Sequence, residues 1–152
     1  MNIIRRRTCW TIVGLGLQGV VPGWVGSAFG GEWNRKAFDA RAMAESLKSI
    51  GADTLIESGD IALNAPEIAE NGAVVPVEIS SAIPGTESIY IFAEKNAQPL
   101  TASFDFSGGS DPFIETRIKM AETATLRIVV KAAGKYYTAA KEVKVTIGGC
   151  GG

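Results

Sequence analysis

The residue with the clearest chemical potential is one thiol close to the carboxyl end of the sequence. Its neighbours on both sides are glycines, at Gly148, Gly149, Gly151 and Gly152 around Cys150. Glycine has no side chain to pack and the most conformational freedom to lose, so we expect residues 148–152 to form a flexible arm. From the end of the last predicted strand at Ile147, Cys150 would reach about 10 Å, at roughly 3.4 Å per residue. This pattern predicts a thiol that is presented to other proteins.

The composition limits what this thiol does unaided. The 152 residues contain no histidine, which excludes a Cys–His relay, a histidine general base and histidine metal ligands. Glycine neighbours supply no charge, and a carboxylate at Gly152 would disfavour the thiolate, so nothing local activates Cys150. We therefore predict a non-catalytic carrier without cofactor or metal, whose cargo is attached to sulfur and moved between the active sites of other enzymes. The net charge of −1 offers no basic field for nucleic acid.

Three alternatives to a carrier stay open at this point. A structural β-sandwich whose Cys150 forms an intermolecular disulfide would have the same tail. A carboxyl-terminal Gly-Gly also occurs in ubiquitin-like sulfur carriers, which need ATP for adenylation, and an exported protein would meet almost none. Asp53, Glu57 and Asp60 are conceivable ligands of a carboxylate-only enzyme site, although such a group more often solvates a loop.

The first thirty residues have the pattern of a secretory signal peptide. Three arginines at positions 5–7 precede an uncharged, mostly apolar stretch over 10–25, and small residues follow. The stretch is too short and glycine-rich for a spanning helix. We predict cleavage near Ala28 or Gly30, removal of Cys9, and a periplasmic mature protein that is not held in a membrane. The arginines are compatible with twin-arginine export.

The elements that must position the thiol begin with a helix. Apolar residues at spacings of 3, 4 and 3 form one stripe, made of Ala40, Met43, Leu47 and Ile50. This spacing predicts one helix near 34–50, with Gly51 as its C-cap.

A β-domain follows the predicted helix. Apolar residues alternate in about seven runs, near 61–63, 73–79, 88–93, 102–106, 114–120, 126–130 and 136–147. Turn signals separate the runs, and a short helical turn is predicted over Pro66–Glu70. This rhythm predicts a mainly β fold over 31–147, an immunoglobulin-like antiparallel β-sandwich with an N-terminal helix. The cysteine pair of antibody domains is absent, so the likeness is one of architecture.

One predicted strand is apolar on both faces, at Ile89, Tyr90, Ile91 and Phe92. Either it is a central strand covered on both sides by this chain, or a partner subunit covers one of its faces. The second interpretation makes these four residues a candidate partner interface.

The sequence as a whole resembles the SoxY family, the sulfur-carrier subunits of the SoxYZ complex of thiosulfate oxidation. The Gly-Gly-Cys-Gly-Gly ending carries most of the resemblance, together with the order of export signal, helix and β-domain. The runs Pro-Glu-Ile-Ala-Glu-Asn-Gly at 66–72 and Val-Pro-Val at 75–77 are also similar to an internal motif of that family.

This resemblance implies an immunoglobulin-like fold and a role for Cys150 as the covalent attachment point of sulfur intermediates. It implies a SoxZ-like partner in a heterodimer or larger complex. It further implies transient contact with a SoxXA-type cytochrome, which joins thiosulfate to the sulfur, and with a SoxB-type hydrolase, which releases sulfate. In some organisms a sulfane dehydrogenase oxidises the remaining sulfur. Members of the family are commonly exported by the twin-arginine route, with SoxZ carried along.

Overall fold

The hydrophobic core lies between two β-sheets in the computed structural model, which describes residues 34–147. Two short helices come first, α1 (Arg35–Asp39) and α2 (Met43–Ser49). Nine strands follow: β1 (Leu55–Glu57), β2 (Ile61–Asn64), β3 (Ile68–Asn71), β4 (Val75–Ser81), β5 (Thr86–Ala93), β6 (Leu100–Asp105), β7 (Phe113–Ile118), β8 (Ala124–Ala132) and β9 (Lys135–Ile147). The predicted signal peptide and the predicted arm at 148–152 lie outside the described residues and stay predictions.

The two sheets form a sandwich. The larger sheet has the order β1-β9-β8-β5-β6, with β3 also pairing with β9, and the smaller sheet has the order β2-β4-β7. Every pairing is antiparallel except those of β1 and β3, which run parallel to β9. The prediction of a mainly β, immunoglobulin-like sandwich is confirmed. Within residues 34–147, no helix has the length and apolar character needed to cross a membrane.

All seven predicted strands are present, and two short strands are additional. The prediction of a helical turn over Pro66–Glu70 is wrong, because Ile68–Asn71 form strand β3. Strand β1 was not predicted either. Both strands have only three or four residues, and both use the edge of β9 that faces away from β8. Pairing with a long strand from the far end of the chain therefore overrides the weak local preference of these segments.

The prediction of a single helix near 34–50 is wrong, because the chain forms two helices there. The backbone is extended at Ala40 and at Ala42, with ψ angles of 135° and 138°. Helix α2 consequently folds back on α1, and the Ser46 hydroxyl donates a hydrogen bond of 2.7 Å to the Ala37 carbonyl. The break lets both helices present apolar side chains to the same small cluster on the sheet.

The end of α2 is fixed as predicted. Gly51 follows the C-cap residue Ile50 with a φ of +80°, which a residue with a side chain rarely adopts. The amides of Gly51 and Ala52 donate back to Lys48 and Leu47, which is the hydrogen-bond pattern of a Schellman motif. The Tyr136 hydroxyl on β9 donates to the Ile50 carbonyl and ties the helix to the larger sheet.

Strand β5 is covered on both faces by the chain itself. Ile89 and Ile91 are fully buried in the cluster between the sheets. On the opposite face, Phe92 is fully buried and Tyr90 half-buried in a second cluster, to which the two helices contribute. The prediction of a partner interface is wrong for Ile89, Ile91 and Phe92, which this chain itself covers completely. For the half-buried Tyr90 it stays a prediction.

We expect buried and exposed phenylalanines of the sandwich to differ sharply in their tolerance of truncation. Phe92→Ala removes a side chain with no solvent exposure and should lower the free energy of unfolding by about 3–5 kcal/mol. Phe113→Ala is the matched control, because Phe113 is 48% exposed, and it should cost less than about 1 kcal/mol. Urea unfolding at equilibrium measures both values. Equal losses for the two variants would contradict the burial described here.

Candidate functional site

The predicted carrier residues follow directly on the longest strand. Cys150 and the flanking Gly148, Gly149, Gly151 and Gly152 lie outside residues 34–147, so the structure defines their point of attachment. That point is Ile147, the last residue of β9. Cys150 is the third residue after Ile147, so the extended chain can place it at most about 10 Å from the end of the strand.

Strand β9 extends beyond its antiparallel neighbour β8. The ladder between the two strands ends at the pair Ala124 and Val143. The remaining residues of β9, Lys144–Ile147, pair with β3 in parallel on the opposite edge. The Lys144 amide also donates to the Glu67 carbonyl at 2.9 Å, just before β3 begins. The start of the predicted arm is therefore held by a different strand from the one that holds the rest of β9.

Two threonine hydroxyls add to this attachment. The Thr123 hydroxyl oxygen accepts a hydrogen bond of 2.9 Å from the Val145 amide. This bond lies on the β8 side of β9, beyond the last pair of the β8–β9 ladder. On the other edge, the Thr146 hydroxyl donates to the Glu70 carbonyl of β3 at 3.0 Å. We call β3, Thr123 and Thr146 together the arm-base brace. Its hydrogen bonds hold residues 144–147 from both sides.

A turn and a loop border the end of β9 beside this brace. The turn at 71–74 is closed by the Asn71 side-chain oxygen, which accepts from the Ala73 amide at 2.9 Å. The Met120 amide donates to the Gly72 carbonyl at 2.7 Å and links the turn to the loop between β7 and β8. Because β3 and β9 run parallel, both end at the same edge, and the turn lies next to Ile147.

Asn96 lies in the loop between β5 and β6, and its side chain holds the loop between β7 and β8 by two hydrogen bonds. Its side-chain nitrogen donates to the Lys119 carbonyl at 2.7 Å, and its side-chain oxygen accepts from the Ala121 amide at 2.8 Å. The two bonds bracket Met120, which is fully buried. This amide side chain therefore fixes the loop that contacts both the turn at 71–74 and, through Thr123, the end of β9.

Charges near the base of the predicted arm are of both signs. Glu70 on β3 and Lys144 on β9 are exposed, and the nearby Lys95–Glu122 ion pair is open to solvent at a distance of 3.7 Å. Exposed pairs of this kind contribute little to stability and create no strong local field.

The groups whose pKa departs from its ordinary value lie at the other end of the sheet. Burial raises the pKa of the Tyr90 hydroxyl. A hydrogen bond to the Glu87 carboxylate raises the pKa of the Lys131 ammonium, across 3.0 Å. Lys131 is seven residues along β8 from Ala124, roughly 23 Å from the arm base. Neither group acts on a thiol held near Ile147.

The three carboxylates that were candidate ligands do not form a site. Asp53, Glu57 and Asp60 are all exposed, and Asp60 accepts a hydrogen bond of 3.3 Å from the neighbouring Ser58 hydroxyl. Among residues 34–147, no group of three or more acidic or cysteine side chains is arranged to hold a metal ion. Asp53 and Asp60 lie in the loops on either side of β1, and Glu57 is the last residue of that strand.

The two internal motifs of the sequence occupy adjacent places in the fold. The run at 66–72 supplies β3 and the start of the turn beside the arm, and the run at 75–77 opens β4. Pro66 and Pro76, one from each run, border an open surface cleft of about 280 Å³ that Glu78, Glu115 and Arg117 also line. The motif residues therefore connect the smaller sheet to the end of β9.

The fold and this geometry together define a class: a β-sandwich whose longest strand leads directly to a cysteine flanked by glycines. A family model described as sulfur oxidation protein SoxY matches residues 47–150, more than half of the chain. The chain belongs to the SoxY family. The matched region includes β3, the whole of β9 and Cys150.

A solved structure agrees with this assignment. The sulfur carrier protein SoxY from Chlorobium limicola f thiosulfatophilum is 46% identical, with a TM-score of 0.58, and the match covers 66% of this chain and 93% of that one. A superoxide reductase (neelaredoxin) from Ignicoccus hospitalis matches at 18% identity, with 56% and 79% of the two chains covered, but its TM-score of 0.47 is too low to support a conclusion. No curated protein matches the chain.

Sequence reasoning missed the residues that hold the arm base. Thr123, Thr146 and Asn96 have ordinary polar side chains without a local motif, and their partners lie more than twenty residues away. The one available signal is the internal run at 66–72, which resembles a family motif but whose predicted helical turn is wrong.

We expect Asn96→Ala to loosen the loop between β7 and β8, because it removes both hydrogen bonds that bracket Met120. The free energy of unfolding should fall by about 1–2 kcal/mol, since each bond contributes about 1 kcal/mol. Asn64→Ala, at an exposed position of β2, is the control and should change stability by less than about 0.5 kcal/mol. Urea titration measures both. A neutral Asn96→Ala would show that the loop is held by backbone contacts alone.

Proposed function

We propose that this protein carries sulfur intermediates covalently on Cys150 during the oxidation of thiosulfate. The observation that carries the proposal is the continuity between β9 and Cys150, within a SoxY family match that extends through that cysteine. The brace supports the same function, because it gives the arm a defined starting point. A thiol on a short tether from a fixed base is suited to visiting enzymes that dock against one end of the sandwich.

The first reaction on the carrier is the attachment of thiosulfate. The Cys150 thiol and thiosulfate lose two electrons and one proton, and a sulfur–sulfur bond joins the Cys150 sulfur to the outer sulfur of thiosulfate. A cytochrome of the SoxXA type accepts both electrons. The protein contributes the thiol and its presentation, since the sequence has no histidine that could serve as a base for it.

The second reaction releases sulfate. Water attacks the terminal sulfonate sulfur, the bond between the two cargo sulfurs breaks, and sulfate leaves with two protons. The former outer sulfur of thiosulfate stays bonded to Cys150 as a persulfide, ready for a further oxidation. A hydrolase of the SoxB type performs this step in its own active site, so the carrier itself is not an enzyme.

The location and the permanent partner complete the proposal. The arginine-rich start and the uncharged stretch over 10–25 support export to the periplasm, where such cytochromes act. A SoxZ-like subunit is the proposed stable partner. Since Ile89, Ile91 and Phe92 are buried within this chain, the proposed partner would bind other, exposed residues of the sandwich.

A reconstituted assay tests the function through the thiol itself. Cys150→Ser should abolish thiosulfate-dependent electron transfer to the cytochrome while leaving the urea unfolding curve unchanged. The control variant combines Cys150→Ser with Ser107→Cys, which places an exposed thiol on the turn between β6 and β7. That variant should stay inactive, because its thiol lacks the glycine tether.

Each result is informative. Retained turnover in Cys150→Ser would contradict a covalent carrier at this position. Turnover restored by Ser107→Cys would show that any exposed thiol suffices, and the arm would then have no special role. Loss of activity together with disulfide-linked dimers as the sole species of the wild type would favour the structural alternative.

A further inference from the structure

Four large apolar side chains are exposed to solvent within residues 34–147. They are Ile56, Ile68, Val74 and Phe113, with exposed fractions between 42% and 58%. Single exposed apolar residues are ordinary on a protein surface, so their placement matters more than their number. Ile68 lies on β3 and Val74 on the turn that follows it, where β9 also ends.

The register of the sheet places both of these side chains close to the end of β9. Ile68 pairs with Lys144 on the neighbouring strand, so its backbone lies about 11 Å from that of Ile147. The Val74 amide donates to the Asn71 carbonyl at 3.3 Å, which closes a turn, and Asn71 pairs with Ile147. Since the ends of such a turn are less than about 7 Å apart, Val74 lies within about 12 Å of Ile147.

The other two exposed apolar residues lie far from this point. Ile56 on β1 pairs with Tyr137, and the length of β9 from there to Ile147 is about 33 Å. Phe113 pairs with Ser80, near the end of β4 that is opposite to the turn after β3. Exposed apolar surface near the end of β9 therefore comes from β3 and its turn.

The surroundings of Ile68 and Val74 have the composition of a protein interface. Glu70 on β3 and Lys144 on β9 are exposed beside them, so charged groups of both signs border the apolar side chains. The backbone is already ordered, by the pairing of β3 with β9 and by the hydrogen bond from the Met120 amide to the turn. Binding here would cost little conformational entropy. We call Ile68, Glu70, Val74 and Lys144 together the β3 patch.

We propose that the β3 patch is the surface on which the cytochrome that oxidises the carrier thiol docks. Cys150 lies at most about 10 Å beyond Ile147, so an enzyme that reacts with it must approach the end of β9 closely. A specific interface buries about 800 Å² of each partner, which corresponds to a disc with a radius of about 16 Å. Both apolar residues of the patch lie within that distance of Ile147. The inference rests on the proposed function and adds a contact surface to it.

The same geometry favours a transient enzyme over a permanent partner as the occupant. A subunit that covered the β3 patch at all times would occupy the surface next to the end of β9. The short connection to Cys150 would then keep the thiol from any enzyme of ordinary size. A SoxZ-like subunit or a second copy of this chain would block the exchange of partners that a carrier needs.

Ile68→Ala and Val74→Ala test this inference in the full chain with its partner subunit. Ile56→Ala is the matched control, because Ile56 is also exposed and lies on β1, the other short strand that pairs in parallel with β9. All three side chains are exposed, so each variant should keep the urea midpoint of the wild type. Val74 lies outside the strands, so Val74→Ala keeps the test valid if Ile68→Ala weakens β3.

Binding is measured first without chemistry. Each variant is combined with Cys150→Ser, which cannot react, and titrated with the cytochrome in a calorimeter. Ile68→Ala and Val74→Ala should each raise the Kd about fivefold, and Ile56→Ala should leave it unchanged. With Cys150 intact, the KM of the cytochrome for the carrier should rise by the same factor at constant kcat. Alkylation of Cys150 by iodoacetamide should keep its wild-type rate, because a small reagent needs no docking surface.

The outcomes separate this inference from the proposed function. A Kd that neither Ile68→Ala nor Val74→Ala changes would overturn the docking surface while the carrier function stands. Dissociation of the SoxZ-like subunit, or loss of a wild-type homodimer, in sedimentation of these variants would show that a permanent partner covers the patch, and would also overturn it. A wild type that binds the cytochrome through the patch but supports no thiosulfate-dependent turnover would contradict the carrier function alone.

Discussion

The parallel pairing of β3 with the end of β9 is the interaction on which the candidate site depends. Strand β9 pairs with β8 for most of its length, but that support ends at Val143. Without β3, the last four residues of the strand would leave the sheet, and the start of the predicted arm would be undefined. The segment at 66–72, the turn after it and the loop fixed by Asn96 all contribute to this one attachment.

The rest of the sandwich supports β9 through its neighbours in the larger sheet. Strand β5 is buried on both faces, between the smaller sheet and the helices, and β8 next to it carries β9. Charged side chains around the arm base are exposed and mixed in sign. This arrangement suits the proposed carrier function, in which the fold supplies position and other enzymes supply reactivity.

Much of this could be predicted from the sequence. Alternating apolar residues predicted most of the main strands, because one face of each lies against the core, and a run that is apolar on both faces predicted β5. Gly51 marked the end of α2. The pairing of β3 with β9 could not be predicted, since it joins segments about 76 residues apart and a parallel register leaves no local signal. The break at Ala40–Ala42 was missed for a similar reason: the stripe of apolar residues is the same for one helix or two. Cys150 could be proposed from the sequence because its glycine neighbours are themselves the signal, and its role stays a prediction.

Intact-mass spectrometry of the protein from cells growing on thiosulfate, with and without reductant, tests the central claim most directly. The account predicts additions of sulfur or of thiosulfate that reductant removes, all on the peptide containing Cys150. The same spectra would give the amino terminus of the mature chain. A thiol that stays unmodified in such cells, or one found only in disulfide-linked dimers, would contradict the carrier function.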